Sequence, residues 1–204
     1  MINEIRNVFN NRPANIMGNY KRNAVMLLLC EEGNETYIIF EVRAFSLRHQ
    51  PGDICLPGGK IESGETPREA ALRETMEELN LIENDIEYIG EMDYFISPYG
   101  SIMYPFVAKL NTKVVNPNND EVDHIFKVPL KYLLEEEPQL YEMEIGPNLK
   151  EDFPYDLVKD GRNYKFSRGK LDQYFYKYDK YIIWGFTAMI VKNFIDIIKK
   201  EARF

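Results

Sequence analysis

Three carboxylates, Glu74, Glu77 and Glu78, crowd one short stretch of the 204-residue chain, inside the run LPGGKIESGETPREAALRETMEELNL from residue 56 to residue 81. On a helix turning by about 100° per residue, Glu74 and Glu78 stand one turn apart on the same side. Like charges at that spacing repel by only about 0.2–0.5 kcal/mol on a wet surface, so a solvated acidic face is one reading of them. The other is a cation site. Hard carboxylate oxygens suit Mg²⁺ or Mn²⁺, which take a carboxylate or two, keep several waters and accept phosphate oxygens as the remainder. The Gly58-Gly59 pair just upstream favours this second reading, because a backbone without Cβ can approach the same ion and offer it a carbonyl. The candidate metal ligands are therefore Glu74, Glu77, Glu78 and Gly59, and the chemistry such a group serves is attack on a phosphate anhydride.

Positioning those carboxylates requires a helix, and the sequence supplies its start and stop. Thr66 is a good N-cap and Pro67 a good first residue, so the spacing predicts a helix over Pro67 to Leu79 ending at Asn80, which tolerates the left-handed conformation common past a helix end. Leu72, Met76 and Leu79 fall within about 60° of one another with Thr75 beside them, which predicts the core stripe and leaves the three glutamates opposite. Upstream, the apolar run from Ala24 to Cys30, the turn EEGNE and then TYIIFEVRA predict a hairpin over residues 24–44, and DICLP a further strand that the two glycines break. Downstream, DIEYIGEMDYFIS and SIMYPFVAKL read as two strands around PYG, and VPLKYLLEEEP as a short helix closed by Pro138. Residues 139–180, rich in Tyr and charge, carry a predicted hairpin turn at Asp160 and Gly161. A last helix is predicted from about residue 183 to 200, with Trp184, Ala188, Val191, Ile195 and Ile198 on one stripe. Mixed strands and helices of this kind predict an α/β (α+β) sandwich in a single domain over residues 1–204.

Bulk composition narrows the partners. A formal charge of −8 and a pI near 5.0 leave no general basic surface for nucleic acid or anionic lipid, so a polyanionic substrate must be met by local Arg, Lys or metal. The two cysteines, Cys30 and Cys55, are too few for a disulfide framework, and Cys30 reads as a small buried hydrophobe. The start MINEIRNVFNNRP lacks a secretion signal's apolar stretch, and the longest apolar segment is interrupted at Lys192 and Asn193. The expectation is a cytoplasmic protein with no membrane partner, as monomer or homodimer.

From Gly59, five residues to Glu65, seven to Arg73-Glu74, then Glu77-Glu78 and Leu81, the stretch resembles the Nudix box, GxxxxxE-x7-RExxEExG followed by an aliphatic residue. Asn80 stands where the box has Gly, and Thr75 where an aliphatic residue is usual. The resemblance implies a Nudix-type α/β/α sandwich with a mixed sheet, a requirement for Mg²⁺ or Mn²⁺, and hydrolysis of a nucleoside diphosphate linked to another moiety. It makes Gly59 and Glu65 structural positions of the box, Arg73 a residue that orients a carboxylate with Glu65 as its partner, and Glu74, Glu77 and the downstream Glu121 the candidate bases. Flanking residues suggest the moiety. VRAFSLRHQPGDICLPGG, with Arg43, Leu47, Arg48, Gly52 and Ile54, is similar to the extra motif of the coenzyme A pyrophosphatase branch, with Leu56 where Phe is preferred; EVDHIFKVPLKYLL and IIWGFTAMIV are similar to later segments of that branch.

Residues 139–180 match nothing in the branch and are read as a variable segment. Arg43 and Arg48 are the candidate substrate-binding residues, since coenzyme A carries a 3'-phosphate besides its pyrophosphate and Arg holds such dianions in a bidentate fork. The expected products are 3',5'-ADP and 4'-phosphopantetheine. The alternatives are a Nudix hydrolase of ADP-ribose, NADH or nucleoside triphosphates, and a nucleotide-sensing module without catalysis, which would lack box carboxylates that this chain keeps.

Overall fold

The computed structural model describes residues 1–112 and 115–201. After a short helix α1 (Ile2–Asn10), strands β1 (Lys21–Glu32) and β2 (Glu35–Arg43) form the predicted hairpin, turning at Gly33 with φ 63°. Strand β3 (Ile54–Cys55) pairs with the end of β2, and β4 (Gly58–Lys60) pairs antiparallel with the first half of β1. The glycine pair thus continues the sheet, where the sequence suggested a break. Gly58 can do so because its φ of 148° brings its Cα against β1, where a Cβ would lie 2.3 Å from the Ala24 carbonyl oxygen.

Helix α2 (Pro67–Leu79) follows, then β5 (Ile86–Glu91), β6 (Phe95–Ser97) and β7 (Ser101–Leu110). The predicted single strand over DIEYIGEMDYFIS is interrupted at residues 92–94. Pro105 lies in β7 opposite this break and has no N–H to donate, although its carbonyl accepts from Met92 at 3.1 Å. Strand β7 runs parallel to β1 while β2 runs antiparallel to it, giving a mixed sheet with β8 (Val122–Pro129) on the outer side of β2. A short helix α3 (Leu130–Glu135) closes this part.

The variable segment contributes a separate three-stranded sheet of β9 (Gln139–Ile145), β10 (Gly169–Tyr178) and β11 (Tyr181–Trp184), with β10 in the middle. Its tight turn is at Asp179, φ 52°, and not at Asp160-Gly161. Asp160 and Gly161 are both left-handed, but they enter a single turn of 3-10 helix flanked by Phe153, Tyr155, Tyr164 and Phe166, which pack on one another and leave no alternating strand pattern. The last helix, α4 (Gly185–Glu201), starts two residues later than predicted. Gly185 has φ 66°, so Ile183 and Trp184 remain on β11, and Trp184 stacks on Phe175 instead of joining the helical stripe. Ala188, Val191 and Ile195 keep the predicted stripe and are buried.

Alternate residues of β1 and β2 divide the interior into two cores. Ala24, Met26, Leu28 and Ile39 pack against Ala70, Ala71 and Leu79 of α2; Leu27, Ile38, Phe40 and Val42 pack against α4 on the other face. The layers are helix, sheet and helix, and α2 sits over the face that carries the odd-numbered residues of β2. Among the described residues no helix is long and apolar enough to cross a membrane.

Candidate active site

Helix α2 begins with a complete capping box: Glu69 N–H donates to Thr66 Oγ1 at 3.3 Å, and Thr66 N–H donates to Glu69 Oε2 at 2.8 Å. It ends at Asn80 in the left-handed conformation, φ 50° and ψ 47°, where Asn does what Gly does elsewhere; its Nδ2 also donates to the Asn116 carbonyl at 2.9 Å. Thr75 replaces an aliphatic residue without an unpaired hydroxyl, because Oγ1 donates to the Ala71 carbonyl at 2.7 Å.

The buried face of α2 is Ala70, Ala71, Thr75, Glu78 and Leu79; of the predicted stripe Leu79 is fully buried with Thr75 beside it, and Leu72 and Met76 pack half-buried at the edge of the same core, so the face is rotated towards Glu78. Glu78 is therefore not on the solvent side with its neighbours. It is 4% exposed, and its Oε2 accepts from Gly58 N–H at 2.8 Å. Glu74 lies against Gly59, where a Cβ would come within 2.5 Å of its carboxyl carbon, so this glycine leaves room for the carboxylate instead of relieving backbone strain. Glu77 is the outward member of the trio, 57% exposed.

Arg73 ties the motif together. Its Nε and Nη2 donate to the two oxygens of Glu65 at 2.9 and 3.2 Å, Nη1 reaches Glu74 at 2.9 Å and Glu77 at 3.1 Å, and Nη2 also donates to the Lys60 carbonyl at 3.2 Å. This fork clamps the loop after β4 onto the helix. It also holds the Glu65 carboxyl below the usual carboxylate range, with help from the Glu62 N–H.

Around Glu78 the electrostatics run the other way. Burial, then the nearby Glu74 and Glu121, push its carboxyl up to about 8 against the opposing Gly58 N–H and Arg43. Burial raises Glu74 too, although Arg73 opposes it. Glu121 is exposed at the start of β8, where its carbonyl accepts from Ala44 N–H at 2.8 Å; the loop before it is pinned to α2 by Asn118 N–H donating to the Glu78 carbonyl at 2.8 Å. Among the described residues Glu121 forms no ion pair.

One member of this cluster is absent from the motif reasoning. Glu41, on β2, is 1% exposed and faces α2; burial and then Glu78 push its carboxyl well above the usual range. The available signal was a charge at an inward position of the apolar run TYIIFEVRA.

Arg43, two residues on, lines a cavity of about 670 Å³ that also touches Gly58, Gly59, Cys55 and Asp53. The far wall of this cavity is Tyr99, Met103, Met143, Trp184 and Phe186, so the variable sheet contributes to it. Arg48 is exposed on the loop between β2 and β3 and does not line the cavity.

Buried carboxylates that repel one another, and that Arg73 and Arg43 only partly offset, fit a divalent metal. The donor set is all oxygen, Glu74 is accommodated by a glycine cradle, and one buried carboxylate oxygen of Glu41 has no partner. Among the described residues no three metal-donor side chains converge on a single point, since Arg73 and the Gly58 N–H hold Glu74 and Glu78.

Comparison with known proteins gives a consistent assignment. The sequence model of the NUDIX domain matches residues 20–145. The chain is 35% identical over 120 residues to the peroxisomal coenzyme A diphosphatase NUDT7 of Mus musculus, a stretch covering 58% of this chain and 50% of that protein. It is 37% identical over 120 residues to the peroxisomal coenzyme A diphosphatase ndx-8 of Caenorhabditis elegans, covering 55% and 50%. The chain spans about half the length of these curated relatives. The crystal structure of a MutT/nudix family protein from Enterococcus faecalis superposes with a TM-score of 0.56 over 98% of this chain and 70% of that one; at 15% identity this is a likeness of fold.

Proposed function

Because the chain belongs to the Nudix family, we propose that it is a divalent-metal-dependent hydrolase that cleaves the pyrophosphate of coenzyme A or its derivatives to 3',5'-ADP and 4'-phosphopantetheine. The observation that carries this reading is the continuity of the acidic site with a largely apolar cavity of about 670 Å³. Gly58 and Gly59 border both, so one arm of the substrate can enter the cavity while the anhydride lies over α2. That two similar proteins are named as coenzyme A diphosphatases supports the choice of substrate.

Glu74 and Glu78, with Glu77 and the Gly59 carbonyl, would hold Mg²⁺ or Mn²⁺, which supplies positive charge against the anhydride oxygens and makes nearby water more acidic. The chain's own residues do the rest. Arg73 fixes Glu74, and the Gly58 N–H fixes Glu78, so neither carboxylate must be ordered when substrate arrives. Arg43 orients the pyrophosphate from the cavity wall, and Arg48, exposed on the loop between β2 and β3, meets the 3'-phosphate. Of the three candidate bases, Glu74 and Glu77 are paired with Arg73, whereas Glu121 pairs with no cation among the described residues; Glu121 takes the proton from the attacking water. Met143, Trp184, Phe186 and Tyr99 shelter the pantetheine arm from solvent.

The test is a panel of kcat/KM values on coenzyme A, NADH, ADP-ribose and deoxynucleoside triphosphates with Mn²⁺. Coenzyme A is expected to rank first, and its ranking below any other member overturns the substrate assignment. In the same assay Glu121→Gln is expected to lower kcat by roughly 10²- to 10⁴-fold with little change in KM; an unchanged kcat removes its role as base.

A further inference from the structure

We propose that Glu41 is a metal-binding carboxylate of this site, and that Glu41 and Arg43 form a paired socket on β2 for a divalent cation and the phosphate oxygen it carries. The inference rests on the reading of the acidic helix as a metal site and adds a wall to it from a strand outside the box.

Two buried polar atoms on β2 lack partners. Glu41 Oε1 accepts no hydrogen bond, while Oε2 touches only the Cys55 thiol, at 3.8 Å; Arg43 Nε, buried two residues later, has no acceptor. An ion pair between these side chains would satisfy both, and none forms. Glu41 Oε1 is thus open to a cation and Arg43 Nε to an anion, while the rest of the guanidinium hydrogen-bonds with Cys55.

Their placement shows where those neighbours belong. Residues 39, 41 and 43 share one face of β2, the face on which Ile39 packs against α2. Cys55 of β3 and Ile125 of β8 stand directly opposite Glu41 on either side. Glu78 is the charged group that acts most strongly on Glu41; Arg43 partly offsets it, and Glu121 adds to it. Arg43 and Cys55 both line the cavity beside Gly58 and Gly59. At about 3.3 Å per residue, the two positions are roughly 6.6 Å apart along the strand, a span that suits a cation at one and the phosphate riding on it at the other. An isolated buried carboxylate is strongly disfavoured unless paired or coordinated, and oxygen-rich surroundings select a hard divalent ion.

The experiment titrates Mn²⁺ into substrate-free wild type, Glu41→Gln and Arg43→Gln, read by calorimetry and by the electron paramagnetic resonance of free Mn²⁺. Glu41→Gln is expected to weaken the tightest site at least tenfold. Arg43→Gln is expected to weaken the binding of imidodiphosphate at saturating Mn²⁺ at least tenfold while Mn²⁺ uptake itself persists. Wild-type affinity in Glu41→Gln overturns the inference and leaves the α2 site standing, whereas no Mn²⁺ uptake by wild type overturns the acidic-helix reading and this one with it. If Glu41→Gln does not fold, wild-type crystals soaked in Mn²⁺ decide: an anomalous peak about 2.0–2.3 Å from Glu41 Oε1 supports the assignment, and a peak on Glu74 and Glu78 alone overturns it.

Discussion

Metal-free protein should lose stability as the pH rises from about 5 to about 8, the reverse of the usual behaviour of carboxylates that pair with cations. Glu78 and Glu41 supply the effect together. The Glu78 carboxyl is pushed from 4.5 to about 8 in the fold, first by burial and then by Glu74 and Glu121. Between those pH values the folded protein binds a proton that the unfolded chain has released, so stability falls with pH, fully present below about 4.5 and exhausted above about 8. A shift of roughly 3.5 units at 1.36 kcal/mol each is about 5 kcal/mol, or a drop in Tm of about 10–20 °C for a chain of this size. Glu41 moves in the same direction and titrates together with Glu78, so the transition belongs to the pair. Glu65 and Glu69 are lowered, and their contribution changes only below about pH 4.5, outside this window. The assay is thermal unfolding in EDTA from pH 5 to 9, repeated with millimolar Mn²⁺. Wild type in EDTA should melt progressively lower, Mn²⁺ should restore the loss at pH 8, and Glu78→Gln should melt higher than wild type at pH 8.5 while gaining less than wild type from Mn²⁺. A wild-type Tm that is flat or rising between pH 5.5 and 8.5 without metal, or a Gln variant no more stable at pH 8.5, would refute the reasoning.

Gly59→Ala places a methyl group where the Glu74 carboxylate now lies, at 2.5 Å from its carbon, without forcing an unfavourable φ; Mn²⁺ affinity measured by calorimetry should fall on the order of 10- to 100-fold with little change in Tm. Arg73→Lys cannot reproduce the fork to Glu65 together with the contacts to Glu74 and Glu77; chemical denaturation should show a loss of about 1.5–3 kcal/mol, and turnover should fall with it. Arg48→Ala should raise KM for coenzyme A about tenfold and leave dephospho-coenzyme A unaffected, since the lost partner is the 3'-phosphate; equal losses on both substrates would reject that contact.

What the sequence makes legible here is whatever depends on neighbours within a few positions. The start of α2 at Thr66 and Pro67 and its end at Asn80 follow from capping chemistry, and both stand as expected. The Arg73 pairing with Glu65 is also readable, because the box spacing brings the loop back over one face of the helix. Reasoning from residue type failed where a distant element decided. The Leu72 and Met76 stripe is the more hydrophobic side of α2, yet the sheet covers the side that holds Ala71, Thr75 and Glu78, because small residues let the helix approach β1 closely and Gly58 supplies an N–H to satisfy the one carboxylate that is buried. Asp160-Gly161 has the chemistry of a hairpin turn, but it lies inside the long connection of residues 146–168 between β9 and β10, with no paired strand next to it, and the tight turn joins β10 to β11 at Asp179.

Glu41 illustrates the same division within the site. The only local signal is a charge within the apolar run TYIIFEVRA, which does not say that the side chain is buried beside α2. Its burial follows from β3 and β8 covering both edges of β2 while α2 closes the face above, three contacts made by residues 14 to 84 positions away. A metal site built on one helix advertises itself through spacing, whereas a wall contributed by a strand becomes visible only once packing has stripped its carboxylate of water and left one oxygen without a partner. If that oxygen binds metal, the affinity of the site depends on the register of β2 against β3 as much as on the box, and substitutions that shift this register should weaken Mn²⁺ binding without touching a box residue.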